Sequence, residues 1–248
     1  MNAAVAAIAL LPGLAFGSFL NVVAARIPLR RSLVSPGSAC MACGTPLAWY
    51  DNVPLLSFAL LRGRCRHCKT AIPWRYPLVE ATTAVLVAGC VLRFGLTWDA
   101  AVGAFFCAAL VAISATDAER HIIPNRVVLP AAVIVLAANT MLHPSVEWAV
   151  AGLGAALFLF IAALAYPAGM GMGDVKLALL LGVALGRTVP IAMMVGMISA
   201  LVPSIVLFAR HGSAARKMKI PFGPFLAFGG VVALFAGPAL LAMYLSLL

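Results

Sequence analysis

Eight apolar runs separated by short connections are the feature that most restricts the fold of this chain. They lie near residues 3–23, 78–96, 100–116, 127–142, 146–166, 175–187, 189–209 and 225–246. Most runs have the length of helices that cross a bilayer, where every backbone hydrogen bond must be made within the protein. Only 10% of the residues are charged, against about 25% in soluble domains. The sequence therefore predicts an all-α polytopic membrane protein with about eight transmembrane helices.

The positions of the basic residues explain the net charge of +10. All but two of the 17 Lys and Arg residues lie in four connections, at residues 26–76, 117–126, 166–176 and 210–220. Cytoplasmic loops of membrane proteins carry such an excess of basic residues, so we expect these four connections on the cytoplasmic side. Both termini are then expected on the opposite side. Because topology accounts for the charge, the predicted surroundings are a lipid bilayer, and no nucleic-acid partner is expected.

The sixth apolar run is short. A helix from Asp174 to Arg187 would be about 20 Å long, against a bilayer core of about 30 Å. If this run did not cross the membrane, the basic connection 210–220 would lie on the side opposite the cytoplasm, against the distribution of basic residues. We therefore keep it as a span and expect a thinned membrane or a wet cavity near Asp174. A tilted or re-entrant segment is the alternative.

The connection between the first two runs holds two CxxC pairs, at Cys40, Cys43, Cys65 and Cys68. Four thiolates in this pattern suit tetrahedral zinc, and a small domain that buries little core gains stability from a metal. Two disulfides or four free thiols are the alternative, but the reducing cytoplasm disfavours disulfides. The predicted domains are a first span at 1–25, a cytoplasmic zinc-binding domain at 26–76 and a membrane domain with about seven spans at 77–248.

Two aspartates are expected at the same membrane face. Asp117 ends the third run, and Asp174 opens the sixth within a glycine-rich turn. A buried carboxylate pair can hold a water molecule, with one member acting as base and the other as acid. The glycines of the turn, Gly169, Gly171 and Gly173, would allow positive φ and the close approach of a peptide.

Physical chemistry alone leaves other roles open for these acids. Asp174 is also placed to cap the helix that follows it, where a negative charge is favourable. Asp117 is also placed to pair with Arg120 at the membrane interface. A third alternative is an ion-coupled small membrane transporter that uses both acids. Glu80, at the start of the second run, is expected either to pair with Arg75 or to face a catalytic cavity.

The order of motifs along the chain resembles that of the type IV prepilin peptidases (prepilin leader peptidase/N-methyltransferase), which are GxGD-type aspartic proteases. The shared motifs are Gly17-Ser-Phe-Leu-Asn-Val22, Arg26-Ile-Pro28, the CxxC pairs, Leu61-Arg-Gly-Arg-Cys65, Arg75-Tyr-Pro-Leu-Val-Glu80, Ile123-Pro-Asn125 after Asp117, Gly171-Met-Gly-Asp174 with Lys176, and Ile220-Pro-Phe-Gly-Pro-Phe225. The resemblance runs from one end of the chain to the other. This sequence departs from the commonest pattern at Asn125, where many members have Asp, and we expect little effect on cleavage.

The resemblance implies a multi-pass enzyme of the bacterial inner membrane, with a cytoplasmic active site and periplasmic termini. Such enzymes cut the short basic leader from type IV prepilins or type II secretion pseudopilins. The motif positions place the catalytic pair at Asp117 and Asp174, with Gly171, Gly173, Lys176 and Glu80 as active-site support. Members with both CxxC pairs often also N-methylate the new terminal residue with S-adenosylmethionine. We assign no residue to the methyl donor, because the sequence has no glycine-rich nucleotide fingerprint after a strand.

Overall fold

The computed structural model describes residues 2–166, 170–212 and 220–246. These ranges contain nine α-helices, two short 3-10 helices and no strand. The α-helices are α1 (Asn2–Arg26), α2 (Leu56–Leu60), α3 (Arg75–Phe94), α4 (Trp98–Arg120), α5 (Asn125–Leu142), α6 (Glu147–Ala165), α7 (Met172–Leu185), α8 (Val189–His211) and α9 (Gly223–Leu245). The 3-10 helices are Trp49–Asn52 and Gly186–Thr188. The predicted all-α architecture is therefore confirmed.

The eight long helices lie on the eight apolar runs. Within the described ranges, seven segments are long and apolar enough to cross a membrane, because α7 and α8 form one continuous apolar segment, Met172–His211. The helix α7 has 14 residues, which makes it about 21 Å long. Only the 3-10 turn separates α7 from α8, and Gly186 in this turn has a φ of 54°. A residue without a Cβ favours such a left-handed turn.

The first compact unit, Met1–Ala115, is built around close packing of α1 against α3. A Cβ on Gly13 would lie 2.6 Å from the Cα of Ala84, and one on Gly17 would lie 2.6 Å from the Cα of Glu80. Two glycines four residues apart let helix backbones approach closely in membranes, where dispersion rather than hydrophobic burial drives association. Small residues in the first run therefore set the distance between these two helices.

The second compact unit, Thr116–Leu248, places α7 among four other helices. The helix contacts α5, α6, α8 and α9, and its side chains Leu177, Leu180 and Leu181 are fully buried. From α5, the amide of Asn139 donates a hydrogen bond to the carbonyl of Val183 at 2.9 Å. Protein surrounds much of α7. A helix that faces protein need not match the bilayer thickness, which explains how a short apolar run is accommodated.

Candidate active site and metal centre

Asp117 lies near the end of α4, where the residue is 6% exposed. The helix ends three residues later because Pro124 disfavours helical conformation in the residue before it. His121, just after the helix, has a φ of 56° and donates its N–H to the Asp117 carbonyl at 2.8 Å. The carboxylate of Asp117 accepts a hydrogen bond at Oδ2 from the backbone N–H of Gly223, at 2.9 Å. Asp117 is therefore held at the start of α9.

Asp174 lies in the first turn of α7. Its Oδ2 accepts a hydrogen bond from the backbone N–H of Gly171 at 3.2 Å, and Gly171 is the extended residue that precedes the helix. Asp174 is thus the N3 residue of a capping box in which Gly171 is the N-cap, and this form of capping engages one carboxylate oxygen. Since a carboxylate has two oxygens, capping and a chemical role are compatible.

The two carboxylates are close enough to interact electrostatically. The segment that follows Asp117 packs on the start of α7, where a Cβ on Gly173 would lie 2.9 Å from the Cβ of Ile123. Both acids also lie at helix N-termini, at α9 for Asp117 and at α7 for Asp174. The positive end of a helix dipole favours negative charge. This arrangement suits a pair of acids that carries one negative charge.

The predicted role of the glycines requires a correction. Neither Gly171 nor Gly173 has a positive φ, because Gly171 is extended, with a φ of −85°, and Gly173 is part of α7. What Gly173 allows is the close approach of Ile123 rather than an unusual backbone conformation. Gly169 lies outside the described residues.

Lys176 and Glu80, both expected to support the site, have distinct surroundings. The Nζ of Lys176 donates a hydrogen bond to the Oδ1 of Asn125 at 2.9 Å, which ties α7 to the start of α5. Glu80 belongs to the first unit and is 9% exposed. Its Oε2 accepts a hydrogen bond from the backbone N–H of Leu55 at 2.9 Å, and it also contacts the Ser18 side chain. Glu80 thereby fixes the turn before α2, where Leu55 has a φ of 58°.

The four cysteines of the CxxC pairs form one cluster. Their sulfur atoms all lie within 4.8 Å of one another. The Sγ atoms of Cys40 and Cys68, from different pairs, are 3.7 Å apart, which is too far for a disulfide of about 2.05 Å. Four sulfurs bound tetrahedrally to one zinc ion would be about 3.8 Å apart. The cluster therefore fits a metal such as zinc, and the disulfide alternative is not adopted.

The two CxxC pairs sit in repeated turns. Cys40 donates its N–H to the Thr45 carbonyl at 3.0 Å, and Cys65 donates to the Thr70 carbonyl at 2.9 Å. The hydroxyl oxygen of Thr70 lies 3.3 Å from the Sγ of Cys68. Hydrogen bonds from the side chain and backbone of Thr70 lower the pKa of Cys68 to about 6. Thr45 lowers the pKa of Cys43 in the same way. Lowered values favour the thiolate, which is the form that binds metal.

Sequence reasoning did not identify Gly223 as a functional residue. The motif Ile220-Pro-Phe-Gly-Pro-Phe225 carried part of the family resemblance but had no role assigned to it. The contact of Gly223 with Asp117 joins residues 106 positions apart. No local pattern reports such a contact. The conspicuous pair of prolines around a glycine is the only signal that pointed to this position.

Comparisons with known proteins agree on one family. Residues 11–94 match the model described as Bacterial Peptidase A24 N-terminal domain, and residues 104–210 match that of the Type IV leader peptidase family. The chain is 38% identical to the prepilin leader peptidase/N-methyltransferase of Burkholderia pseudomallei (strain 1026b), over 93% of this chain and 85% of the relative. It is 32% identical to the enzyme of the same name from Bacillus subtilis (strain 168), over 95% of this chain and 96% of the relative. It is 35% identical to the one from Pseudomonas aeruginosa, over 96% of this chain and 92% of the relative. No solved structure matches the chain.

Proposed function

This chain belongs to the type IV leader peptidase family, and we propose that it cleaves the leader from type IV prepilins and N-methylates the new N-terminal residue. The observation that carries the peptidase proposal is the pairing of Asp117 with Asp174, each held by a backbone N–H at a helix N-terminus. Pseudopilins of type II secretion are included in the proposed substrates. The comparisons give no support to the alternative of an ion-coupled transporter.

The proposed cleavage uses a water molecule between the two carboxylates. Like charges at close range cannot both ionise readily, so the pair carries one proton. The ionised carboxylate takes a proton from the water molecule as the water oxygen attacks the scissile carbonyl carbon. The protonated carboxyl group donates its proton to the carbonyl oxygen. The tetrahedral intermediate then collapses as the C–N bond breaks and a proton passes to the leaving amine. The products are a leader with a free carboxylate and a mature chain with a free amino terminus.

We place this reaction at the cytoplasmic face of the bacterial inner membrane, with both termini periplasmic. The distribution of Lys and Arg among the connections supports this orientation, and the seven apolar segments support several crossings of the membrane. The apolar helix of the substrate would lie in the bilayer, while its basic leader remains in the cytoplasm. The scissile bond would then lie at the depth of the two aspartates.

For the cysteine cluster we propose a structural zinc ion held by Cys40, Cys43, Cys65 and Cys68. The spacing of the sulfurs and the lowered pKa of Cys68 support this ligand set. A site with four protein ligands has no open position for a substrate, so the metal would stabilise the segment between α1 and α3 rather than react.

The methylation proposal is supported by the names of the relatives, which imply S-adenosylmethionine as donor. The described part of the chain has no strand. It therefore offers no strand–turn–helix of the kind that binds a nucleotide through glycine-rich backbone. We assign no residue to the methyl donor.

Replacing each aspartate by asparagine tests the peptidase proposal. With purified protein in liposomes and a prepilin substrate, Asp117→Asn and Asp174→Asn should each abolish leader cleavage while the protein still inserts. Asp99→Asn, at the opposite end of α4 from Asp117, is the matched control and should cleave normally. Substantial cleavage by either active-site variant would refute the dyad. Ion flux through the liposomes that requires both acids would favour the transporter instead.

A further inference from the structure

The first turn of α9 directs one backbone donor at Asp117. The first N–H groups of a helix have no partner within it. Pro224 has no N–H, and the N–H groups of Phe225 and Leu226 both donate to the Phe222 carbonyl, at 3.1 and 3.2 Å. Gly223 is the remaining donor of this turn, and its N–H binds the Oδ2 of Asp117 at 2.9 Å. The proline after Gly223 thus leaves a single amide for the carboxylate.

The same position has no room for a side chain. A Cβ on Gly223 would lie 2.7 Å from the Oδ2 and 3.2 Å from the Cγ of Asp117. Gly223 does not have a positive φ, so its backbone would accept another residue. The carboxylate itself is therefore what requires glycine here. This contact can be tested without changing an acid.

The hydrogen bonds of the two aspartates differ in length and surroundings. The bond from Gly223 to Asp117 is 2.9 Å long and buried, whereas the bond from Gly171 to Asp174 is 3.2 Å long and exposed. A buried hydrogen bond to a charge is stronger than an exposed one, because less water competes for it. The titratable groups that act on Asp117 are His121, just after the end of the helix that carries Asp117, and Asp174 of α7. The helix α9 itself contains no Asp, Glu, Lys, Arg or His.

We propose that Gly223 is a positioning residue for the peptidase reaction, whose N–H at the positive end of α9 holds Asp117 as the ionised member of the pair. Asp117 then takes the proton from water, and Asp174 is the protonated partner that donates to the substrate carbonyl oxygen. This inference rests on the proposed peptidase function. It adds a division of roles between the two acids, which the dyad alone does not define.

Two changes at position 223 distinguish the effect of crowding the Asp117 carboxylate from the effect of removing the backbone N–H that donates to it. Gly223→Ala adds the Cβ that meets the carboxylate. Glycolic acid at position 223, introduced by suppressor-tRNA translation, replaces the N–H by an ester oxygen and adds no atom that could clash. Gly154→Ala is the matched control, because a Cβ at Gly154 meets nothing within 4 Å.

The measurements are kcat and KM for leader cleavage across pH, with insertion and substrate binding as checks of folding. We expect Gly223→Ala to lower kcat about 100-fold or more with KM little changed. The ester should lower kcat about 10-fold at neutral pH. It should also move the acidic limb of the pH–rate profile up by about one unit, because the ionised carboxylate has lost a donor. Gly154→Ala should match the parent protein in every measurement.

A parent-like kcat and an unmoved acidic limb in the ester protein would overturn the inference. If Gly223→Ala does not insert, the ester protein alone decides the question. A parent-like ester protein would still leave the peptidase proposal intact, provided that Asp117→Asn and Asp174→Asn are inactive. Failure of the parent protein to cleave a prepilin would instead refute the proposed function.

Discussion

Lys176 donates a hydrogen bond from its Nζ to the Oδ1 of Asn125, at 2.9 Å and across 51 positions of the chain. The bond joins α7, two residues after Asp174, to the start of α5. Asn125 is also the position at which we expect the departure from the commonest family pattern to have little effect on cleavage. Its amide oxygen accepts from the Lys176 ammonium group, as a carboxylate oxygen would, and the effect on cleavage stays a prediction.

Changing Asn125 to aspartate should turn this hydrogen bond into an ion pair. The bond is exposed, so we expect Asn125→Asp to add about 0.5 kcal/mol of stability and to retain cleavage. Lys176→Met should lower both stability and cleavage. Thermal unfolding in detergent and initial cleavage rates check these outcomes. If Lys176→Met and Asn125→Asp each left both quantities unchanged, the bond would have no role in holding α7.

The two glycines of the GxGD turn should respond differently to alanine. A Cβ on Gly173 would lie 2.9 Å from the Cβ of Ile123, whereas one on Gly171 meets nothing closer than the Asp174 Oδ2 at 3.5 Å. We expect Gly173→Ala to lower cleavage at least 10-fold, and Gly171→Ala to cause a much smaller loss. Adding Ile123→Ala to Gly173→Ala should restore part of the activity by making space. Equal losses in the two single variants, without rescue in the double variant, would contradict this packing argument.

Metal content should depend on the four clustered cysteines. We expect Cys40→Ser and Cys65→Ser each to remove about one zinc ion per chain, as measured by mass spectrometry of the purified protein. Cys90→Ala is the control, because Cys90 is buried in α3 outside the cluster. Unchanged metal in the serine variants, or none in the parent protein, would refute the site.

Metal release should depend on pH through the threonines of the two turns. Protons compete with the metal for thiolates, and the hydrogen bonds from Thr70 lower the pKa of Cys68 to about 6. A lowered pKa keeps the thiolate available until the pH falls further. Thr70→Val should therefore release zinc at a higher pH than the parent protein. A chelating dye that reports free zinc during acid titration measures the difference, and coincident release curves would contradict it.

Much of the fold is predictable from hydropathy. The runs at 3–23 and 225–246 became α1 and α9 with boundaries shifted by one to three residues. The weak sixth run was also located, as the short helix α7. The expected thin membrane or wet cavity near Asp174 stays a prediction, and the structure adds that much of α7 is enclosed among other helices.

The candidate site was predictable in its residue types and only partly in its geometry. Two acids at the ends of apolar runs, and two CxxC pairs in one connection, are visible along the chain. The glycines were expected to provide positive φ, and that expectation was wrong for Gly171 and Gly173. The close approach that Gly173 allows depends on Ile123, a residue that no pattern in the turn specifies.

The sequence by itself determined the helices, their order and the positions of Asp117 and Asp174, because the cost of placing backbone and charge in lipid is a local property of each segment. Only the tertiary structure decided which donor meets which acid. Gly223 reaches Asp117 across 106 positions, and that contact depends on how α9 packs beside the end of α4. Contacts of this kind arise from the joint packing of several helices. They set the local electrostatics on which the chemistry of the pair depends.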